Sequence, residues 1–241
     1  MKKLTNIIMG IVMICVIFML IIPIPQIILE TLFGIELLAG IILYMFAKNT
    51  FNEKIQKQIP SFVLSLVLTC LAISISTVRF CLTTTDFPIR YISFLYSLNT
   101  NFYVVGVILS VGIFVASIYF IQKWRKIIKT KAKNFLEKHS ENSDKDDIDF
   151  YVNTDGVLEF LLGNLKLNIW CLLSNIIFGS VFGVLIRGES SLIAITSSIK
   201  NGMSFIFVAF LPLLLSESVL FENLKQFEHR KMVDKISDRE R

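Results

Sequence analysis

Apolar residues run along this chain in long stretches, not in the alternating pattern of a half-buried strand or the one-sided stripe of a soluble helix. Such stretches of about twenty residues recur at 5–22, 26–47, 61–82, 102–122, 165–186 and 201–221. At about 1.5 Å per residue, each is long enough to cross roughly 30 Å of hydrocarbon as a helix. The pattern predicts an all-α, polytopic membrane helical bundle of about six transmembrane helices. Four of these fall in 1–122 and two in 165–221, around one large polar connection at 123–164 and before a charged tail at 222–241.

The connections carry their own signals. Pro23-Ile24-Pro25 makes a tight hairpin between the first two spans, since proline ends one helix and opens the next. A lysine-bearing loop ending at Pro60 joins the second and third. Residues 83–101 place Phe87, Tyr91, Phe94 and Tyr96 where an interfacial aromatic belt is expected. Within 123–138, Trp124, Ile127, Ile128, Phe135 and Leu136 fall on one helical face among lysines, predicting a basic amphipathic helix that either continues span four or lies along the inner leaflet. The run HSENSDKDDID at 139–149 lacks the spacing and central glycine of a calcium loop and reads as a solvated linker.

Composition agrees: 54% of residues are hydrophobic, 18% are charged and mean hydropathy is +0.67, well outside the range of a soluble domain. Charge sets the orientation. Lysines and arginines crowd the N-terminus, the loop after span two, the 123–145 stretch and the tail, while the opposite connections hold only Arg90 and Arg187. The positive-inside bias therefore predicts cytoplasmic N- and C-termini for a multi-pass membrane protein. The net charge of +5 reads as this topology signal plus attraction to anionic lipid at the inner leaflet, with no nucleic-acid partner. The first span is expected to be retained, because its core exceeds a signal-peptide core and no small-x-small site precedes Pro23.

Cys15, Cys70, Cys81 and Cys171 all fall in apolar spans and are expected to be buried free thiols, while His139 and His229 lie in polar segments. No metal site and no cofactor is expected. No phosphate loop, nucleophile elbow or zinc-protease helix is present, so the chain is not expected to be an enzyme.

Ionisable groups within or beside the spans are the remaining candidates: Glu30, Glu36, Arg79, Lys200 and Glu217. Such groups are costly against lipid and turn toward the bundle interior. Glu30 and Arg79 lie at similar depth on adjacent helices and are expected to form an ion pair. Glu36 lies near mid-membrane, as either a proton or ion site or a hydrogen-bond donor to a neighbouring helix. Lys200 and Glu217 are expected to snorkel.

The segment FYVNTDGVLEFLLGN, followed by a span holding Asn175, Gly179 and Gly183, resembles the FHIPEP family, the large export-gate membrane subunits of flagellar and type III secretion systems. Phe150, Tyr151, Asp155, Gly156, Phe160 and Gly163 fall in register with that family's loop pattern, with Glu159 where the family has a basic residue and Asn164 where it has an aspartate. In the front half, IIPIPQIILETLFGIELL and TCLAISISTVRFCL resemble two further family stretches and contain Glu30 and Arg79. The resemblance implies a truncated, divergent subunit lacking the family's large cytoplasmic domain and contributing to protein secretion as a structural or proton-responsive component. As partners it implies other export-gate membrane proteins and copies of itself in a ring. The alternatives are a small stand-alone transporter or proton channel using Glu36, Asp155 and Glu159, or a degenerate inactive paralogue. Local physics also predicts that Gly156 and Gly163 allow turns and that Asp155 caps a helix beginning near Val157.

Overall fold

The structure, a computed structural model, describes residues 2–50, 52–84, 86–90, 92, 100–138 and 145–239. These include helices α1 (Lys2–Ile21), α2 (Gln26–Asn49), α3 (Glu53–Gln56), α4 (Ile59–Thr83), α5 (Thr100–Lys138), α6 (Lys145–Leu185) and α7 (Ser191–Arg239), with no strand among the described residues. Each of the six apolar stretches falls within one helix, to within a residue at its ends. Four helical segments, Gln26–Asn49, Glu53–Thr83, Asp147–Leu185 and Ser191–Val233, are long and apolar enough to cross a membrane, and Gly10–Ile21 is a shorter apolar helix. Their outward faces carry Ile27, Leu38, Trp170, Leu185 and Leu192 exposed, the surface a lipid-embedded bundle presents.

Helix α4 is central, packed by α1, α2, α6 and α7, while α5 flanks α6 and α7. Val63, Val67 and Ile73 of α4 are fully buried, as are Phe33 of α2, Leu161 of α6 and Phe205 of α7. Lipid is as apolar as leucine, so such helices hold together through close packing, for which small residues are suited. Gly179 and Gly183, one turn apart on α6, face Ser198 and Ala194 of α7. A β-carbon on Gly183 would lie 2.7 Å from that of Ala194, and one on Gly202 would lie 2.8 Å from Ile176.

Local chemistry sets the helix ends. Pro25, with φ −59° and ψ 148°, opens α2, and Pro60 sits in the first turn of α4. The Asn52 side chain accepts from Lys54 N at 3.0 Å to start α3. Beyond α6, Gly188 takes φ +68°, a left-handed geometry that favours glycine, and Glu189 N donates back to Gly183 O at 3.0 Å. Pro212 lies inside α7, where its ring nitrogen brings no hydrogen to the ladder.

The polar connection departs from expectation. The basic segment does not lie flat: α5 runs unbroken through Lys138. The motif segment is not a glycine-turned loop either, because α6 is one helix of 41 residues from Lys145. Gly156 and Gly163 lie inside it with ordinary helical backbone, and a β-carbon added to either would meet nothing within 4 Å. Asp155 lies more than two turns past the start of α6 and caps nothing. The inward stripe Phe150, Thr154, Val157, Leu158, Leu161 and Leu165 explains this. Its 3- and 4-residue spacing buries one helical face, which outweighs the roughly 1 kcal/mol cost of each interior glycine. At about 1.5 Å per residue α6 is roughly 60 Å long, about twice the roughly 30 Å of a hydrocarbon core, so its first half extends beyond a membrane-length stretch toward the lysine-rich side. Residues 139–144 of the acidic linker, including His139, lie outside the described residues, as do Tyr91, Phe94 and Tyr96; Phe87 is buried in the core and not at a lipid boundary.

Candidate functional site

The projecting ends of α6 and α7 meet the short α3 in an aromatic and ionic junction. Phe150 stacks on Phe227 with ring centroids 4.0 Å apart, and Tyr151 meets Phe227 edge-on at 5.9 Å. Arg230 and Lys231 lie over the same Phe227 ring at 5.4 and 5.2 Å. Asp147 pairs with Lys231 and with Lys57 (3.2 Å), and Lys57 also reaches Glu53 at 2.5 Å. Burial pushes the Asp147 carboxyl up, but Lys231 and Lys57 outweigh it and hold the group below the usual carboxylate range. Burial likewise opposes the Lys57 ammonium, yet Glu53 and Asp147 raise it. Burial raises the Tyr151 phenol, aided by Glu228 and Asp147. Phe150 and Tyr151, prominent in the motif, are thus the buried centre of a helix junction.

One turn further along α6, Asp155 and Glu159 both engage α5. Arg125 Nε donates to Asp155 Oδ1 at 3.2 Å and Arg125 Nη2 reaches Glu159 at 2.8 Å, with Lys129 at 3.9 Å from Asp155. Phe160 packs partly buried against the core, and Gly156 and Gly163 lie on the exposed face. The charged motif residues therefore tie the basic helix to α6.

Deeper in the bundle, a line of buried polar side chains follows α4, α6 and α7. Asn164 donates to Val67 O at 3.0 Å and Asn168 donates to Asn164 Oδ1 at 3.1 Å. Asn175, Ser74 and Thr77 are buried with side-chain polar atoms lacking a hydrogen-bond partner among the described residues, and Ser198, Asn201 and Ser204 are buried on α7. At the end of the bundle away from the lysine-rich side lies an Arg187–Glu189 pair at 2.9 Å, with Arg187 also donating to Leu82 O and Gly179 O. The family resemblance touches Asn164 and Asn175 one by one without joining them. The spacing of Asn164, Asn168 and Asn175 on one helical face is the visible signal of the line.

Glu36 is buried on α2, beside α4 and α7. It is 4% exposed, and neither carboxyl oxygen has a hydrogen-bond partner among the described residues. Cys70 of α4 donates its thiol hydrogen to Ala209 O of α7 at 3.5 Å. Of the two roles open to Glu36, donor to a neighbouring helix or proton site, the first has no acceptor in place among the described residues.

The expected Glu30–Arg79 pair does not form. Arg79 donates to the carbonyls of Leu20 (2.7 Å) and Ile21 (3.4 Å), the unsatisfied C-terminal carbonyls of α1, which attract a cation. Glu30 instead accepts from Arg90 N at 3.1 Å. Lys200 is exposed as snorkelling requires, but Glu217 is not: one carboxyl oxygen is buried without a partner and the side chain lines an internal cleft. Cys70 and Cys81 are buried thiols and Cys171 is half-buried, while Cys15 faces outward, against the expectation of burial for all four. Among the described residues no group of three His, Cys, Asp or Glu side chains is gathered for a metal ion. Comparison of the chain with family models, with curated proteins and with solved structures finds no match.

Proposed function

We propose that this chain is a membrane subunit of a type III secretion or flagellar protein-export gate in a bacterial cytoplasmic membrane, with both termini cytoplasmic. In this reading it is not an enzyme. It acts as a structural or proton-responsive part of an assembly with other export-gate membrane proteins and with copies of itself. The observation that supports the reading most is the placement of the motif residues. Phe150 and Tyr151 knit α6 to α7, and Asp155 and Glu159 knit α6 to α5, at the end of the bundle from which cargo would be admitted. A motif with that role holds a cytoplasmic mouth in one shape. Deleting the gene is expected to abolish or strongly reduce secretion of the apparatus's substrates, with Arg125→Ala giving an intermediate loss. Secretion unchanged by the deletion overturns the proposal.

A second reading, a stand-alone proton channel or small transporter, is favoured by the unpartnered Glu36 in the bundle that also holds the buried polar line. It predicts that purified protein in liposomes conducts protons and that Glu36→Gln removes the flux. Liposomes without flux reject it.

A further inference from the structure

A cleft of about 560 Å³ opens between α2, α5, α6 and α7 where the bundle leaves the membrane on the lysine-rich side. That volume lies in the range of small-ligand sites. Its walls are largely apolar, with Phe120, Trp124 and Phe221 prominent, and three charged residues line it: Lys123, Glu217 and Glu222.

Depth can be read from aromatic contacts between α5 and α7, which run in the same direction. Phe114 meets Phe210 at 5.0 Å and Trp124 meets Phe221 at 4.7 Å, so Lys123 stands at about the level of Leu220. Glu217 is then roughly 4–5 Å nearer the membrane middle, and Glu222 roughly 3 Å further toward the projecting ends. The charges are therefore ordered by depth as acid, base, acid.

None of the three has a counter-ion among the described residues. Lys123 is exposed and makes no ion pair there. Glu222 is only 8% exposed, and its Oε1 accepts from Gln226 Nε2 at 3.2 Å, yet no described cation lies within ion-pair distance. A buried carboxylate without a cation is a costly arrangement that a bound cation relieves.

We propose that this cleft holds a zwitterionic aminophospholipid, its ammonium on Glu222, its phosphodiester on Lys123, its glycerol esters level with Glu217, and its acyl chains along the Phe120, Trp124 and Phe221 wall. The order from the membrane outward, phosphate then ammonium, matches that of Lys123 and Glu222. A phosphatidylglycerol headgroup satisfies Lys123 with the same phosphodiester but brings a neutral glycerol and no cation to Glu222. A choline headgroup brings a cation with no N–H to donate. Lipid binding of this kind requires no role in export.

The test is native mass spectrometry of the delipidated full chain with equal mixtures of phosphatidylethanolamine, phosphatidylglycerol and phosphatidylcholine. Phosphatidylethanolamine is expected to be retained about tenfold over either competitor, the effect one charge-assisted hydrogen bond supports. Glu222→Gln is expected to erase that preference. Lys123→Gln, at an exposed position that leaves the fold intact, is expected to weaken retention of all three lipids. Equal or tighter retention of phosphatidylglycerol, or wild-type retention by Lys123→Gln, overturns the proposal.

Discussion

Asp147→Asn probes the junction that joins α3, α6 and α7. The carboxylate sits between Lys57 and Lys231, with side-chain exposures of 14% for Asp147, 20% for Lys57 and 23% for Lys231. An exposed pair contributes at most about 1 kcal/mol, and removing one partner of a fully buried pair costs about 3–5 kcal/mol. Partial burial and the two lysines left facing each other place the expected loss at about 2 kcal/mol, or about 4–8 °C in melting temperature for a chain of this size. The sign with pH follows from the two partners. Asp147, depressed in the fold, contributes fully above the ordinary aspartate value and loses this as pH falls through its folded value. Lys57, raised in the fold, contributes fully below the ordinary lysine value and loses this as pH rises through its folded value. The difference between wild type and Asp147→Asn is therefore full between about pH 4 and pH 10 and closes on either side. Thermal unfolding in mild detergent, followed by tryptophan fluorescence, measures it. A variant that melts with the wild type at pH 7, or a difference that does not shrink as the pH is lowered progressively below the ordinary aspartate range, refutes the reasoning.

Phe227→Ala removes the ring on which Phe150, Tyr151, Arg230 and Lys231 converge, and should cost about 3–5 kcal/mol, read as a lower melting temperature with the helical content kept. Glycine substitutions on α6 should split by position. Gly183→Ala meets Ala194 at 2.7 Å and should lower the melting point by the equivalent of about 1–3 kcal/mol, whereas Gly156→Ala, with open space around it, should raise it by up to about 1 kcal/mol. Glu36→Met replaces an unpartnered buried carboxyl by an apolar side chain of similar length and should leave stability equal or about 1–2 kcal/mol higher, with any loss appearing in secretion or flux alone. A marked drop in melting temperature for Glu36→Met would mean that the carboxyl is structural.

The spans were legible because membrane length and lipid apolarity leave few ways to write them: all six apolar stretches are helical. Interiors were harder to read, for reasons of geometry. Glycines at 156 and 163 signal turns in isolation, but the buried stripe from Phe150 to Leu165 carries the helix through them. Glu30 and Arg79 share a depth, yet depth does not fix rotation about the helix axis, and Arg79 turns to the free carbonyls of α1 instead. The Asp147 junction and the Arg187–Glu189 pair unite residues far apart in the sequence or across a tight turn, and no periodicity announces either. Glu36 was visible as an oddity in an apolar run, but its isolation from acceptors emerges only from the packing of α2 against α4 and α7.

Membership of an export gate is tested most directly by extracting the tagged chain from its native membranes in mild detergent. The mass of the complex and its co-purifying chains are determined together. A ring-sized assembly carrying other export-gate membrane proteins is expected. A lone species of about the chain's own 27.5 kDa, with no such partners, contradicts that membership.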